Sequence, residues 1–337
     1  MSAHLVVDKP GLSSTLQDFG RFGYHRFGIS GAGAMDVVAL RIANALVGNP
    51  PGMAAVELAM TGLGATVSGG GCAIAVAGAE MPIAINGRQV EGWRSYALAE
   101  GDRIEIGAAA AGVYAYLAVA GGFALAPTLG CLSTHLRSGI GGFEGRALRA
   151  GDRLPLVGAA ARPIVALPAG RRPAYDGPIR IVLGPQDDKF TAAGLAAFLA
   201  NEYRIGTQTD RMGAQLDGPA IEHAGGFNIV SDGIVNGSIQ VLGSGRPVAL
   251  LADRQTTGGY PKIATVISAD LPKLAQRRPG EAARFVAVSV AEAVEAARRR
   301  EQALAEALQS LEPPTTTPSA EDLLRVNLIA GVSSAFD

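Results

Sequence analysis

Along this chain the apolar positions fall mostly in short runs, alternating or β-branched, and glycine closes most of them. Such runs fit strands buried on one or both faces. Strands are predicted at Leu5–Asp8, Ala55–Ala59, Ala73–Val76, Arg103–Ile106, Tyr114–Val119, Ile179–Leu183, Ile239–Val241, Val248–Ala252, Ile263–Val266 and Arg284–Ala287. Helical periodicity is rarer. Met35–Val47 sets Val38, Ile42, Ala45 and Leu46 on one face and stops at Gly48, a residue that ends helices without steric cost. Phe190–Ala200 predicts a second helix. Ser289 followed by Glu292 forms a capping-box pattern at the head of a third, Ser289–Leu311. Its stripe of Val290, Val294, Ala297, Leu304, Leu308 and Leu311 implies a contact face. The pattern predicts a mainly β protein with few helices.

The two internal helices sit in comparable settings, each after a Gly-rich polar stretch and before an apolar strand, which hints at a duplicated β-rich domain. A chain of 337 residues suits two domains of about 100–200 residues each. The expected division is an N-terminal β domain over 1–156, an Ala/Pro/Arg-rich linker over 157–177, a C-terminal β domain over 178–288, and a helix with its tail over 289–337. The apolar end of that tail, "LLRVNLIAGVSSAFD", is expected to dock on the N-terminal half. Charge narrows the partners: 29 basic and 30 acidic residues are mixed along the chain, with no basic stripe for nucleic acid and no polybasic segment for a membrane surface. The longest apolar runs fall short of the ~20 residues that cross a bilayer. The opening "MSAHLVVDKP" does not read as a signal peptide. A cytoplasmic, soluble protein is expected. Cys72 and Cys131 give no disulfide framework.

Familiar catalytic signatures are missing: no P-loop, no G-x-S-x-G elbow, and four scattered histidines with no metal-ligand spacing, so no metal site is expected. "GAGAMD" has Asp36 where a dinucleotide loop needs its third glycine. Four polar clusters remain. In "QDFGRFGYHRFGISGAGAMD", Arg21 and Arg26 suit a carboxylate clamp, or Arg21 merely pairs with Asp18 on a surface loop. "STHLRSGIGGFEGRALRAGDRL" offers Arg137 and Ser138. "GPQDDKF" places Asp187 and Asp188 at a helix start, where at least one is expected to cap it. The fourth joins "TDRMGAQLDGP", "SDGIVNGSIQV" and "DRQTTGGYPKIATVI", bringing Asp210, Arg211, Asp232, Gln240 and Asp253 into one argument. Any of these that is buried must be paired or hydrogen-bonded.

Taken in order from Leu5 to about Phe285, these blocks resemble the biotin-dependent carboxyltransferase A/B family, which includes KipA-like proteins. "DRQTTGGYPKIATVI" is the most specific of them. The resemblance implies two related cyclophilin-like β-barrel domains plus a C-terminal helix. It implies one component of an ATP-dependent 5-oxoprolinase, opening 5-oxoproline to L-glutamate with KipI-like and LamB/YcsF-like subunits, and ATP bound on this chain or on a partner. The family's alternative is a carboxyltransferase that moves a carboxyl group from carboxybiotin to urea or a similar amide. The chain has no biotinylation site of its own, so biotin would arrive on another protein. A non-catalytic regulatory or binding subunit is the third reading. Cys131-Leu132 replaces the Ser-Arg found in many relatives, removing one candidate anion-binding arginine.

Amide chemistry needs donors aimed at a developing oxyanion, a base near nitrogen and exclusion of water. On that basis Asp253, Tyr260 and Lys262 are the expected catalytic residues. Arg21, Arg137, Asp210, Arg211, Asp232 and Gln240 are expected to bind substrate, together with Gln255, Thr256, Thr257, Gly258 and Gly259. Asp253, Gln255, Thr257 and Tyr260 are expected to line one concave pocket with Arg211 or Asp232. The isolated chain is expected to be inactive.

Overall fold

The computed structural model describes residues 3–158 and 163–313. The expected tail docking falls outside the described residues. The chain is mostly β, with α-helices at Val37–Leu46, Ala192–Ala200, Leu271–Ala275 and Val290–Gln309. No helix among the described residues is long and apolar enough to cross a membrane.

The N-terminal half is two sheets. One has six strands in the order Arg153–Pro155, His4–Lys9, Gly64–Ser68, Arg103–Ile106, Ile83–Ile85, Arg88–Val90; the other has five, Ser14–Gln17, Ala55–Ala59, Ala111–Val119, Cys72–Glu80, Ser95–Leu98. Alternation along Ala111–Val119 explains how the second sheet is used. Ala115, Leu117 and Val119 face the core shared with the six-stranded sheet. Tyr114, Tyr116 and Ala118 point the other way, into a second core, because successive strand side chains leave opposite faces. The first helix packs on that second side, with Leu40 and Ile42 fully buried, each stabilising by about 1.5–3 kcal/mol.

The C-terminal half closes into a seven-stranded barrel, Ile179–Leu183, Lys262–Val266, Ser238–Val241, Pro247–Leu250, Gly213–Asp217, Glu202–Thr209, Ala282–Ala287. Closure is completed by a parallel pairing of Ile179–Ile181 with Phe285–Ala287. Its interior residues, among them Ile181, Tyr203, Ile239 and Phe285, belong to the same contiguous apolar core as the first helix and Tyr116. Gln276, just after the short helix Leu271–Ala275, fastens the halves together. Its side-chain oxygen accepts from the Val113 and Tyr114 amides at 2.8 and 3.0 Å, and its nitrogen donates to Asp36 at 2.9 Å and to the Tyr114 carbonyl at 2.8 Å.

Two local expectations are corrected. Neither Asp187 nor Asp188 caps the second helix; they form a 3-10 turn, and Thr191 is the cap, its hydroxyl accepting from the Gly194 amide at 2.9 Å. A hydroxyl directly before the first helical residue outcompetes acids several residues upstream. In the C-terminal helix the buried residues are Ala296, Leu304 and Ala307, while Val290 and Val294 are exposed. Only the later turns meet the first helix, where Arg41 pairs with Glu301 at 2.6 Å.

Candidate functional site

The signature blocks of the two halves meet at a buried ionic junction. Arg211 lies in the turn between strands Glu202–Thr209 and Gly213–Asp217. Its guanidinium forks onto Asp253, Nε to Oδ2 at 3.0 Å and Nη2 to Oδ1 at 2.8 Å. It also donates to Glu57 of the N-terminal half and, at 2.7 Å, to the Gly33 carbonyl. Gly33 holds φ +95°, a conformation that a side chain would strain. Tyr116 stands opposite Glu57 in the strand register and donates to it at 2.7 Å, while its oxygen accepts from the Asp36 amide at 2.7 Å. Burial works against charge on Arg211, but Glu57 and Asp253 outweigh it and raise its pKa. Burial first, and then Glu57 and Asp36, push the Tyr116 phenol well above its ordinary value. Asp253 is thus committed to Arg211 through both oxygens, which suits an orienting acid.

A cavity of about 260 Å³ opens at this junction, lined by Arg211, Asp253, Tyr114, Met35, Arg137 and Asp210 among others. Arg137 and Asp210 face each other at 3.7 Å and are both mostly exposed. Asp210 also receives the Met212 amide at 2.7 Å, which shapes the turn carrying Arg211. His135 joins from the N-terminal half. Its Nδ1 accepts from the Ser138 amide at 3.3 Å, and its Nε2 stands 3.4 Å from the Asp253 carbonyl.

The rest of the "DRQTTGGYPK" loop goes elsewhere. Gly258 pairs with Asp232 in a two-stranded ribbon, and Gln255 and Thr257 are exposed, with Tyr260 36% exposed. None of the three lines the Asp253 cavity, so the single pocket expected from the loop is two sites. The second site is built around Lys262, whose side chain is buried although it carries a charge. Its ammonium donates to Asp232 at 2.5 Å and to the Gly233 carbonyl at 3.0 Å. Gln186 bridges the group, donating to Asp232 at 2.9 Å and accepting from the Lys262 amide at 3.0 Å. Lys262, then Gln186, hold the Asp232 carboxyl down at about 2. Gln240 donates to the Tyr260 carbonyl at 3.0 Å. Gly258 admits this packing because a Cβ there would stand 2.6 Å from Gln240 Nε2 and 2.7 Å from Ile234 Cδ1. The Thr256 carbonyl accepts from the Ile234 amide at 3.0 Å, and the Gly259 carbonyl accepts from the Ile229 amide at 2.9 Å, so both residues hold the ribbon in place.

Arg21 is fully buried and does not pair with Asp18. It donates to the Ser133 carbonyl at 2.6 Å, leaving Nε and Nη1 without partners among the described residues. Sequence reasoning missed Glu57, His135, Gln186 and Arg254. Glu57 had one signal, a lone acid inside the apolar strand "AVELA". Arg254 is buried and, among the described residues, makes only long hydrogen bonds, 3.3 Å to the Ile234 carbonyl and 3.4 Å to that of Leu251; burial lowers its pKa. Among the described residues, no three His, Cys, Asp or Glu side chains converge as a metal site.

A family model described as carboxyltransferase domain, subdomain A and B, matches residues 27–287. The chain belongs to that family. It is similar to the C subunit of 5-oxoprolinase from Escherichia coli K12, 38% identical over 87% of this chain and 94% of the relative. The corresponding subunit of Haemophilus influenzae is 39% identical over 86% and 92%. Among solved structures, the urea amidolyase of K. lactis superposes on 94% of this chain with a TM-score of 0.84 at 26% identity; this chain spans 21% of that protein.

Proposed function

We propose that the chain is one component of an ATP-dependent 5-oxoprolinase, working with KipI-like and LamB/YcsF-like subunits to open 5-oxoproline to L-glutamate. What carries this reading is the near full-length similarity to the C subunit of the Escherichia coli 5-oxoprolinase, 94% of which is covered. A relative that is one lettered component of 5-oxoprolinase points to a multi-subunit enzyme. The junction geometry supports the reading. A cavity of about 260 Å³ is smaller than the ~300–1,000 Å³ of drug-sized sites, which suits a compact five-membered lactam. Arg137 at its edge is loosely held and can fork onto the substrate carboxylate. Arg211, fixed by Glu57 and Asp253, would hold the wall of the cavity rigid around the substrate. The Lys262–Asp232 site, beside the same loop, would serve proton transfer or contact with the partner carrying ATP, since nothing in this chain reads as a phosphate loop.

A second reading is favoured by one observation, the match to urea amidolyase and urea carboxylase structures over 94% of this chain. Under it the same junction would receive carboxybiotin brought by another protein. Glutamate release from 5-oxoproline, measured on the lone chain and on the complex with its two partners, separates the readings. Release is expected from the complex alone and is expected to fall at least ~100-fold in an Asp253→Asn complex. Full activity from the lone chain, or carboxylation without glutamate release, would overturn the proposal.

A further inference from the structure

Strand Ala111–Val119 sends Tyr114 and Tyr116 to the same face, since side chains two residues apart along a strand leave on one side. Both are buried, at 4% and 0% exposure. Their hydroxyls have different fates. Tyr116 donates to Glu57 and accepts from the Asp36 amide, both at 2.7 Å, so its oxygen is satisfied within the fold. Tyr114 is bonded through its backbone, where Gln276 takes its amide at 3.0 Å and its carbonyl at 2.8 Å. Its hydroxyl makes no hydrogen bond to any described residue. Buried tyrosine hydroxyls ordinarily find a partner, because leaving one dry and unpaired is unfavourable.

Tyr114 lines the junction cavity of about 260 Å³. The charges of Glu57, Arg211, Asp210 and Asp253 all act on its phenol, so the oxygen lies at the ionic end of that cavity. Burial first, and then Glu57, raise its pKa, which keeps the group protonated and able to donate. The buried polar side chains on this wall are Tyr114, Arg211 and Asp253. Arg211 commits its guanidinium to Asp253, Glu57 and the Gly33 carbonyl, and Asp253 accepts from Arg211 through both oxygens. Tyr114 is the one of the three whose polar atom has no partner among the described residues. Arg137, mostly exposed, stands apart from it at the edge.

We propose that Tyr114 is a substrate-binding residue whose hydroxyl donates a hydrogen bond to the carbonyl oxygen of a small amide or lactam held in the junction cavity. The inference rests on reading the junction as an amide site, and it adds the group that recognises the carbonyl. The same donor serves a lactam or urea, which share that oxygen.

Thermal unfolding of the full chain gives the first test. Tyr114→Phe is expected to keep the wild-type midpoint and Tyr116→Phe to lower it, because only the second breaks bonds made within the fold. Equal losses would show that the Tyr114 hydroxyl is bonded inside the protein, and would overturn the proposal. The second test titrates the complex with its partner subunits calorimetrically, using 5-oxoproline, urea and proline. Proline has the ring and carboxylate of 5-oxoproline without its carbonyl. Tyr114→Phe is expected to weaken 5-oxoproline about ten-fold, the loss of one hydrogen bond, and to leave the weaker binding of proline unchanged. In turnover the same variant is expected to raise KM about ten-fold, with kcat within about three-fold. Urea binding weakened by Tyr114→Phe, with no binding of 5-oxoproline, would sink the oxoprolinase reading and uphold this inference. Glutamate release with an unchanged KM in Tyr114→Phe would do the reverse. Binding of neither carbonyl compound overturns both.

Discussion

Arg211 is the residue on which the two halves converge electrostatically, since it pairs with Glu57 from one half and Asp253 from the other. Removing it leaves two buried carboxylates without their cation. Arg211→Met is therefore expected to destabilise the fold by about 3–5 kcal/mol, whereas Arg298→Ala, mostly exposed, should stay within about 0.5 kcal/mol. Urea denaturation of the two variants checks the contrast. Asp232 allows a pH test. Its folded pKa sits at about 2, below the ordinary 3.8, because of Lys262 and Gln186. A depressed carboxyl stabilises the folded form above its ordinary value, and that contribution disappears as pH falls through about 2. Carboxyl NMR should find Asp232 titrating near 2 in the native chain and back toward 3.8 in Lys262→Met. An unchanged midpoint in the variant would show that the ammonium is not the cause. Asp253 and Arg211 were legible as candidates because charges cluster among glycines in their loops. Glu57 was not, since its role exists only through contact with a residue far along the chain.

At the scale of elements, periodicity located the longer helices and each strand it predicted, because each needs only local spacing, but it missed others, among them Glu202–Thr209 and Gly213–Asp217 of the barrel. It could not say which face meets a neighbour. The C-terminal helix reads as one stripe from Val290 to Leu311, yet Val290 and Val294 in its first turns are exposed. The cap, by contrast, was fully written in the sequence. Ser289 Oγ accepts from the Glu292 amide at 3.2 Å, and the Glu292 carboxylate accepts from the Ser289 amide at 2.7 Å. Ser289→Ala is expected to cost about 1 kcal/mol, read as a fall in thermal midpoint, with Ser289→Asp close to native. Equal losses in both variants would mean that the box is not what starts the helix. The single-pocket expectation for the 253–262 loop failed for a related reason. Strand pairing at Asp232–Gly258 pulls the middle of the loop away from Asp253, and a pairing partner cannot be read from the loop itself.

At the scale of the molecule, sequence composition suggested two domains joined by a linker, and the apolar core argues for one cooperative unit. The second face of the five-stranded sheet, the first helix, the barrel interior and the end of the C-terminal helix all belong to one contiguous cluster. Separating the halves would expose part of that surface. Chains of this length commonly unfold in steps, so a single calorimetric transition with matching van't Hoff and calorimetric enthalpies is a discriminating expectation. Gln276 is the place to probe it, because one side chain satisfies the Val113 and Tyr114 amides, the Tyr114 carbonyl and Asp36 across the junction. Gln276→Leu strands the Val113 and Tyr114 amides, at about 1–3 kcal/mol for each group left unpaired, and takes one partner from Asp36, whose Oδ1 keeps the Val38 and Ala39 amides. If the halves fold together, the variant should lower the midpoint of one undivided transition. If they are independent domains, the wild type itself will show two transitions, and Gln276→Leu will widen the gap between them without shifting the barrel's own midpoint.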